Sequence, residues 1–209
     1  MKEFKVGEYI ARGTEKKVYE DADDPEKVIG LYHMPAMSKE RVKAQFYLTK
    51  ILHMLFPKNI PDIYLSASDP HVVRKEKIST DVTHKIIQKW YEPGADRRNI
   101  SEDEHRKLDD VTGAIYSDPK YMEFITDLDK LGVHIDSYVT NFTRDSEGNM
   151  IYLDDIDPST AFGLRGFDRE RFMKAIDKIP GEDKKKALHY LDRLEMLEEK
   201  IFQKSSANI

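Results

Sequence analysis

The chain of 209 residues is long enough for one domain or two small lobes with a substantial core. With 39% apolar and 35% charged residues and a net charge of −5, its composition excludes a disordered chain and a general nucleic-acid surface. It contains no cysteine, and no stretch approaches the roughly 18 apolar residues of a membrane helix. We therefore expect a soluble, cytoplasmic protein with no nucleic-acid or membrane partner.

Residues 4–32 show the alternation of apolar and polar side chains that is typical of β-strands. Polar turns at residues 12–14 and 21–25 divide this segment, which predicts three antiparallel strands. The first turn contains Gly13, where a missing Cβ atom lets backbone N–H groups approach phosphate oxygens. An ordinary hairpin turn explains the same glycine about as well.

Residues 38–56 are predicted to form a helix with Ser38 as its N-cap. The apolar side chains recur at helical spacing and define one buried face: Val42, Phe46, Leu48, Ile51, Leu52 and Leu55.

Two further strands are expected at residues 72–78 and 85–91. The second includes Gln88 and Trp90 and runs into Pro93 and Gly94, which indicate a boundary in the chain. Trp90 is also explained as an ordinary core residue.

The composition becomes helical from Ser101, where acidic residues fill a first turn. A second helix is predicted at 119–131 and ends at Gly132, which suits a C-terminal cap. Two more helices are expected at 168–179 and 182–203.

The segment 133–157 concentrates the residue types that phosphate chemistry uses. His134, Asp136 and Asn141 follow the second helix, and a predicted hairpin then leads to Asp154 and Asp155. Phosphoryl transfer needs one carboxylate facing the attacking hydroxyl group and further oxygen ligands for metal ions. Because Asp and Asn side chains also bond to the nearby backbone in turns, an ordinary loop is the alternative.

The spacing His134-x-Asp136-x-x-x-x-Asn141 matches the catalytic-loop pattern of protein kinases. The order of the predicted elements also resembles the protein-kinase-like superfamily over nearly the whole chain. The resemblance implies an α+β fold of two lobes, with a five-stranded antiparallel sheet and one helix in the N-lobe and a short, mainly helical C-lobe. The implied N-lobe spans 1–92 and contains a Gly-rich loop at 11–18, a helix at 38–56 and a hinge at 88–94. The implied C-lobe spans 93–209 and contains a catalytic loop at 134–141 and a metal loop at 154–157.

The resemblance also implies roles for individual residues, with ATP and Mg²⁺ as cofactors. Asp136 would accept or orient the proton of the substrate hydroxyl group, Asn141 and Asp155 would hold magnesium, and Gly13 would approach the phosphates. Asp154 is the rival metal ligand, and Asp155 is preferred because it precedes Ile156-Asp157 in an acid, apolar, acid order. Gln88 and Trp90 would contact the adenine ring at the hinge.

The upper half of the implied site departs from the kinase pattern. Gly30 stands where the third strand of a kinase presents its phosphate-binding lysine. Lys16 occupies the position from which the with-no-lysine kinases supply that lysine, although an exposed strand lysine is the alternative. Leu48 stands where the helix would carry a glutamate, and neither Gln45 nor Glu40 is a convincing substitute.

The C-lobe is short, which resembles the minimal kinases injected by bacterial type III secretion and small relatives of the aminoglycoside phosphotransferases. The first resemblance implies a protein acceptor and secretion into a host cell, and the second implies a small hydroxylated acceptor. Two alternatives to an active phosphotransferase stay open. One is a pseudokinase that binds a nucleotide or a protein without turnover, and the other is an unrelated α+β domain with a chance loop.

Overall fold

A computed structural model of the protein describes residues 3–12, 15–33, 38–78, 101–163 and 166–206. Within these ranges the protein is a mixed α+β structure with one five-stranded antiparallel sheet, one two-stranded hairpin and six α-helices. This confirms the α+β class and the five-stranded sheet expected from the sequence. None of the described helices is both long and apolar enough to cross a membrane.

The first three strands form as predicted and are named β1 (Val6–Arg12), β2 (Lys16–Asp21) and β3 (Lys27–Tyr32). They pair antiparallel in sequence order. Asp21 shapes the turn after β2, because its side chain accepts a hydrogen bond from the backbone N–H of Asp23 at 2.9 Å.

Helix α1 (Lys39–Leu55) confirms the predicted helix and its cap. The Ser38 hydroxyl group accepts a hydrogen bond from the backbone N–H of Arg41 at 3.1 Å, which satisfies one of the N–H groups that a helix start leaves free. The predicted apolar face is largely buried, with Val42, Leu48, Ile51 and Leu52 inaccessible to solvent.

Two short strands complete the sheet, β4 (Ile63–Leu65) and β5 (Val72–Glu76), in the order β1-β2-β3-β5-β4. Strand β5 lies within the predicted strand at 72–78. Strand β4 was not predicted, because three residues are too few to show an alternating pattern. The other predicted strand, at 85–91, lies outside the described residues.

Helices α2 (Glu102–Tyr116) and α3 (Pro119–Leu131) follow. Asp118 caps α3 by accepting a hydrogen bond from the backbone N–H of Lys120 at 2.8 Å. Gly132 ends it in the left-handed conformation with φ of 73°, as the sequence predicts.

The predicted hairpin consists of β6 (Phe142–Arg144) and β7 (Met150–Tyr152). Its turn is held by Asp145, whose side chain accepts hydrogen bonds from the backbone N–H groups of Glu147 at 2.9 Å and Asn149 at 2.7 Å. Phe142, Met150 and Tyr152 are buried, so the hairpin is anchored in the core.

Three helices end the chain: α4 (Pro158–Phe162), α5 (Arg169–Ile176) and α6 (Gly181–Ser206). Helices α5 and α6 correspond to the predicted pair, whereas the single turn of α4 was not predicted. The long helix α6 packs along α1, where the ring of Tyr190 lies 6.1 Å from that of Phe46 and 5.8 Å from that of Tyr47.

The core has two parts that share α1. A small cluster under the sheet contains Tyr32, Val42, Ile63 and Val73. A larger cluster joins the other face of α1 to the hairpin and the later helices. Helix α1 therefore fixes the sheet relative to the hairpin, and so fixes the strand lysines relative to the acidic segment after β7.

Candidate functional site

Asn141 makes one hydrogen bond within the loop after α3 and another that joins this loop to the end of the hairpin. The Asn141 side-chain amide donates to the carbonyl oxygen of Asp136 at 3.1 Å, and the carbonyl oxygen of Asn141 accepts from the backbone N–H of Leu153 at 2.8 Å. Leu153 directly precedes the acidic pair Asp154 and Asp155. The fold thus brings the four predicted residues Asp136, Asn141, Asp154 and Asp155 into one region.

Tyr152 lies next to this link. It is buried, and the carboxylates of Asp154 and Asp136 act on its phenol. Burial, together with the negative charges of Asp154 and Asp136, raises the pKa of Tyr152 far above its usual value. The buried phenol is therefore neutral.

The two acids of the predicted metal loop differ sharply in environment. The side chain of Asp155 is 5% exposed, whereas that of Asp154 is 47% exposed. One oxygen of Asp155 accepts from Lys75 at 3.0 Å, and the other accepts from Lys16 at 2.5 Å and from the hydroxyl group of Tyr32. Asp155 is therefore the buried centre of the site, and Asp154 lies at its rim.

Strand register explains why these three donors converge. Lys16 on β2 is opposite Tyr32 on β3, so their side chains leave the same face of the sheet. Lys75 lies on β5, two residues after Val73, and Val73 is opposite Gly30. Because strand side chains alternate, Lys75 shares the inner face with Lys16 and Tyr32.

Gly30 has a steric role at this face. A Cβ atom at position 30 would lie 3.1 Å from Cγ2 of Val73 and 3.4 Å from Cδ of Lys16. The missing side chain leaves the path along which Lys16 reaches Asp155. Gly30 thus stands where a kinase would carry its strand lysine, and the absence of a side chain there leaves room for Lys16.

The protonation states follow from burial and from the opposed charges. Burial raises the pKa of Asp155, but Lys16 and Lys75 outweigh it and hold that pKa well below its usual range. Burial lowers the pKa of Lys16, yet the charges of Asp155 and Asp154 outweigh it and leave the pKa raised. For Lys75 burial dominates, the charge of Asp155 offsets it only in part, and the pKa is lowered. Asp155 is therefore an anion, and Lys16 is its firmly charged partner.

Helix α1 reaches the acidic segment through Arg41 rather than through a glutamate. The Arg41 guanidinium group donates to both carboxylate oxygens of Asp157, with the Nε contact at 3.2 Å. Leu48, at the expected glutamate position, is fully buried in the core. Gln45 is buried, and its amide has no hydrogen-bond partner among the described residues. The helix is thus coupled to the acidic segment at 154–157 by the Arg41 guanidinium group.

The oxygen donors of the loop can be compared with the needs of Mg²⁺, which binds carboxylate and amide oxygens. Asp155, Asp154 and the side-chain oxygen of Asn141 are of this type. No group of three or more His, Asp or Glu residues within the described ranges is arranged to hold a metal. The donor chemistry fits Mg²⁺, but two ammonium groups already face Asp155 and would repel a cation there. Coordination by Asp155 therefore requires Lys16 to turn away.

Three of the predicted site residues lie outside the described residues: Gly13, Gln88 and Trp90. The predicted hinge at 88–94 also lies outside them. Sequence reasoning missed Lys75, Tyr32 and Arg41 as members of the site, and it named Asp157 only as part of the predicted loop at 154–157. One signal for Lys75 existed, because a lysine two residues after a buried valine in a short strand points to the inner face.

Fold and site together define an α+β protein with a buried lysine–carboxylate–lysine centre beside an exposed acidic loop. No protein-family model matches the chain, and no curated protein sequence matches it either.

Proposed function

We propose that this chain is a kinase-like phosphotransferase of two lobes that moves the γ-phosphoryl group of ATP to a hydroxyl group on a protein or a small molecule. The observation that carries the proposal is the contact between Lys16 and Asp155, which lie 139 residues apart in sequence. It sets a buried cation and a buried carboxylate beside a loop with an exposed aspartate, the combination that phosphoryl transfer uses.

Asp136 is the proposed acceptor of the hydroxyl proton. Its carboxylate is exposed, and one of its oxygens accepts a hydrogen bond from the backbone N–H of Tyr138 at 3.1 Å, which orients it. In the reaction the acceptor oxygen forms a bond to the γ-phosphorus atom, the bond to the β-phosphate bridging oxygen breaks, and ADP leaves. The hydroxyl proton passes to Asp136.

Lys16 is the proposed cation for the phosphates. An ammonium group has three N–H donors, and the hydrogen bond to Asp155 uses one of them. Asp155, Asp154 and Asn141 would hold Mg²⁺, which supplies charge neutralisation on the phosphate oxygens when bound. Gly13 and the hinge residues Gln88 and Trp90 keep the roles that the kinase resemblance implies.

The test is transfer of labelled γ-phosphate from ATP with Mg²⁺, measured as autophosphorylation or as label in an added acceptor. Asp136→Ala is expected to lower the rate by about 10²- to 10⁴-fold, the usual worth of a general base. Asp109→Ala, an exposed acid on α2, is the matched control and is expected to retain the wild-type rate. Equal labelling by the Asp136→Ala variant would contradict the proposal.

A specific observation favours a second function, a pseudokinase that binds a nucleotide or a protein without turnover. Both oxygens of Asp155 already have donors from Lys16, Lys75 and Tyr32, so its charge is neutralised without a metal. A thermal-shift titration with ATP, with and without Mg²⁺, separates the two functions when it is combined with the transfer assay. Stabilisation by ATP without any transfer supports the pseudokinase, and transfer excludes it.

A further inference from the structure

Lys16 and Lys75 both contact Asp155, but the rest of their surroundings differ. Besides the bond to Asp155 at 3.0 Å, the ammonium group of Lys75 donates to the carbonyl oxygens of Leu153 at 3.1 Å and Asp154 at 3.3 Å. These three acceptors match the three N–H donors of a lysine. All three N–H donors of Lys75 are therefore used by contacts within the protein.

Lys16 uses fewer of its N–H donors. Among the described residues it makes one hydrogen bond, to Asp155, and a longer ionic contact with Asp154 at 4.0 Å. Its side chain is 16% exposed, compared with 9% for Lys75. Of the two cations, Lys16 is thus the one that can turn toward an incoming anion while Asp155 keeps a counter-charge.

We infer that the two lysines divide the work of the site: Lys75 is a positioning residue that holds Asp155 and the backbone of residues 153–154, and Lys16 is the cation released to the phosphates. Lys75 makes this release possible, because it leaves Asp155 a counter-ion from the protein when Lys16 turns away. The division rests on the proposed function for its kinetic consequences, whereas the anchoring by Lys75 follows from the contacts alone.

Sheet geometry supports the division. Lys75 lies between β3 and β4, opposite Val28 and Ile63, where both neighbouring strands hold its backbone. Lys16 is the first residue of β2 and passes over Gly30, which has no side chain to occupy that space. Lys75 is thus held by strand pairing on both sides, whereas Lys16 lies at the end of its strand.

The experiment compares Lys75→Met and Lys16→Met with Lys77→Met, an exposed lysine near the end of the same strand whose partner is Glu20. Steady-state transfer is measured at varied ATP. Lys16→Met is expected to raise the KM for ATP, because direct phosphate contacts are lost. Lys75→Met is expected to lower kcat by about tenfold or more with little change in the KM, as the loss of a group that supports a site residue does. A rise in KM for Lys75→Met equal to that for Lys16→Met would overturn the division.

Hydrogen exchange of the backbone amides of residues 153–155 gives a readout that does not depend on turnover. Exchange is expected to quicken in Lys75→Met and to stay at the wild-type rate in Lys16→Met and Lys77→Met. Unchanged exchange in Lys75→Met would overturn the anchoring role. Absence of transfer by the wild type would refute the proposed function, and the exchange comparison would still decide the role of Lys75.

If Lys75→Met does not fold, Lys75→Arg takes its place. The guanidinium group keeps the charge but cannot direct three donors from one nitrogen to the same three oxygens. The expected result is again a lower kcat with an unchanged KM for ATP and faster exchange at residues 153–155. Wild-type kinetics and exchange in this variant would count against positioning by Lys75.

Discussion

In the strand half of the site, formed by Lys16, Tyr32 and Lys75, the polar atoms are largely buried and meet across the sheet. In the loop half, formed by Asp136, Asn141 and Asp154, they are wholly or partly exposed and bond to the backbone near them. Asp155 belongs to the loop by sequence and to the strand half by environment. The charged groups of the strand half are therefore held by the buried contact with Asp155, while the side chains of the loop half are accessible from solvent.

Asp155→Asn tests this difference most strongly. The substitution removes the buried negative charge that Lys16 and Lys75 share, and removal of one member of a buried ion pair typically costs about 3–5 kcal/mol in the free energy of unfolding. Urea unfolding followed by circular dichroism measures the loss.

Asp154→Asn is the matched control for that measurement. Its carboxylate is half exposed and lies 4.0 Å from Lys16, so its removal is expected to cost less than about 1 kcal/mol. Similar losses for the two variants would remove the distinction between a buried and an exposed acid.

Gly30→Val tests the steric basis of the strand half. The added atoms would collide with Val73 and with the path of Lys16, and overpacking of this kind costs about 1–3 kcal/mol in the free energy of unfolding. Gly113→Ala in α2 is the control, because a Cβ atom there meets nothing within 4 Å and a helix favours alanine over glycine by about 0.5–1 kcal/mol. The midpoint temperature of thermal unfolding should therefore fall in Gly30→Val and rise in Gly113→Ala. A destabilised Gly113→Ala would show that the loss of a glycine alone explains the result for Gly30→Val.

The smallest expected effect on the free energy of unfolding is that of Asp118, which supports the helix that leads into the loop half. It caps α3 and pairs with Arg144 at 2.9 Å. Asp118→Ala is expected to cost about 1 kcal/mol at pH 7, the usual worth of an N-cap, and Asp118→Asn less, because asparagine also caps. Urea unfolding of the two variants measures the difference.

The pH dependence of the same residue has a definite sign. Burial raises the pKa of Asp118, but the backbone N–H of Lys120 and the Arg144 side chain outweigh it, so the pKa lies below its usual value. A lowered pKa in the folded state gives stability that is present above the unfolded value of about 3.9 and is lost as the pH falls through the folded value. The wild type is therefore expected to lose its advantage over Asp118→Asn as the pH falls below about 4. A constant difference between pH 7 and pH 3 would contradict this.

Much of the fold was predictable, because its signals are local. Ser38 and Gly132 mark helix ends through hydrogen bonds and backbone angles that involve only near neighbours, and the helix at 119–131 has the predicted bounds. The turn around Asp145 is equally local. Strand β4 was missed because three residues are too few to show an alternating pattern, and helix α4 was missed although Asp157 and Pro158 give its start a local signal.

The same difference between local and long-range signals applies to the residues of the candidate site. Asp136, Asn141, Asp154 and Asp155 were predicted from spacing, since one loop and one hairpin bring them together. Lys16 was predicted only through a family resemblance, and the structure shows it in contact with Asp155. Lys75 and Tyr32 were missed, because nothing in a single strand shows which distant carboxylate its inner face will meet.

By itself the sequence determined the α+β class, the helix caps, the hairpin and the acidic loop, because each depends on residues a few positions apart. Only the tertiary structure decided the partners of Asp155, which come from 139, 123 and 80 residues away. Strand register places those donors on one face, and the packing of α1 against both parts of the core sets that face over the hairpin. Such an arrangement has no local signature, because it is stabilised by burial and charge pairing that exist only when the whole chain has folded.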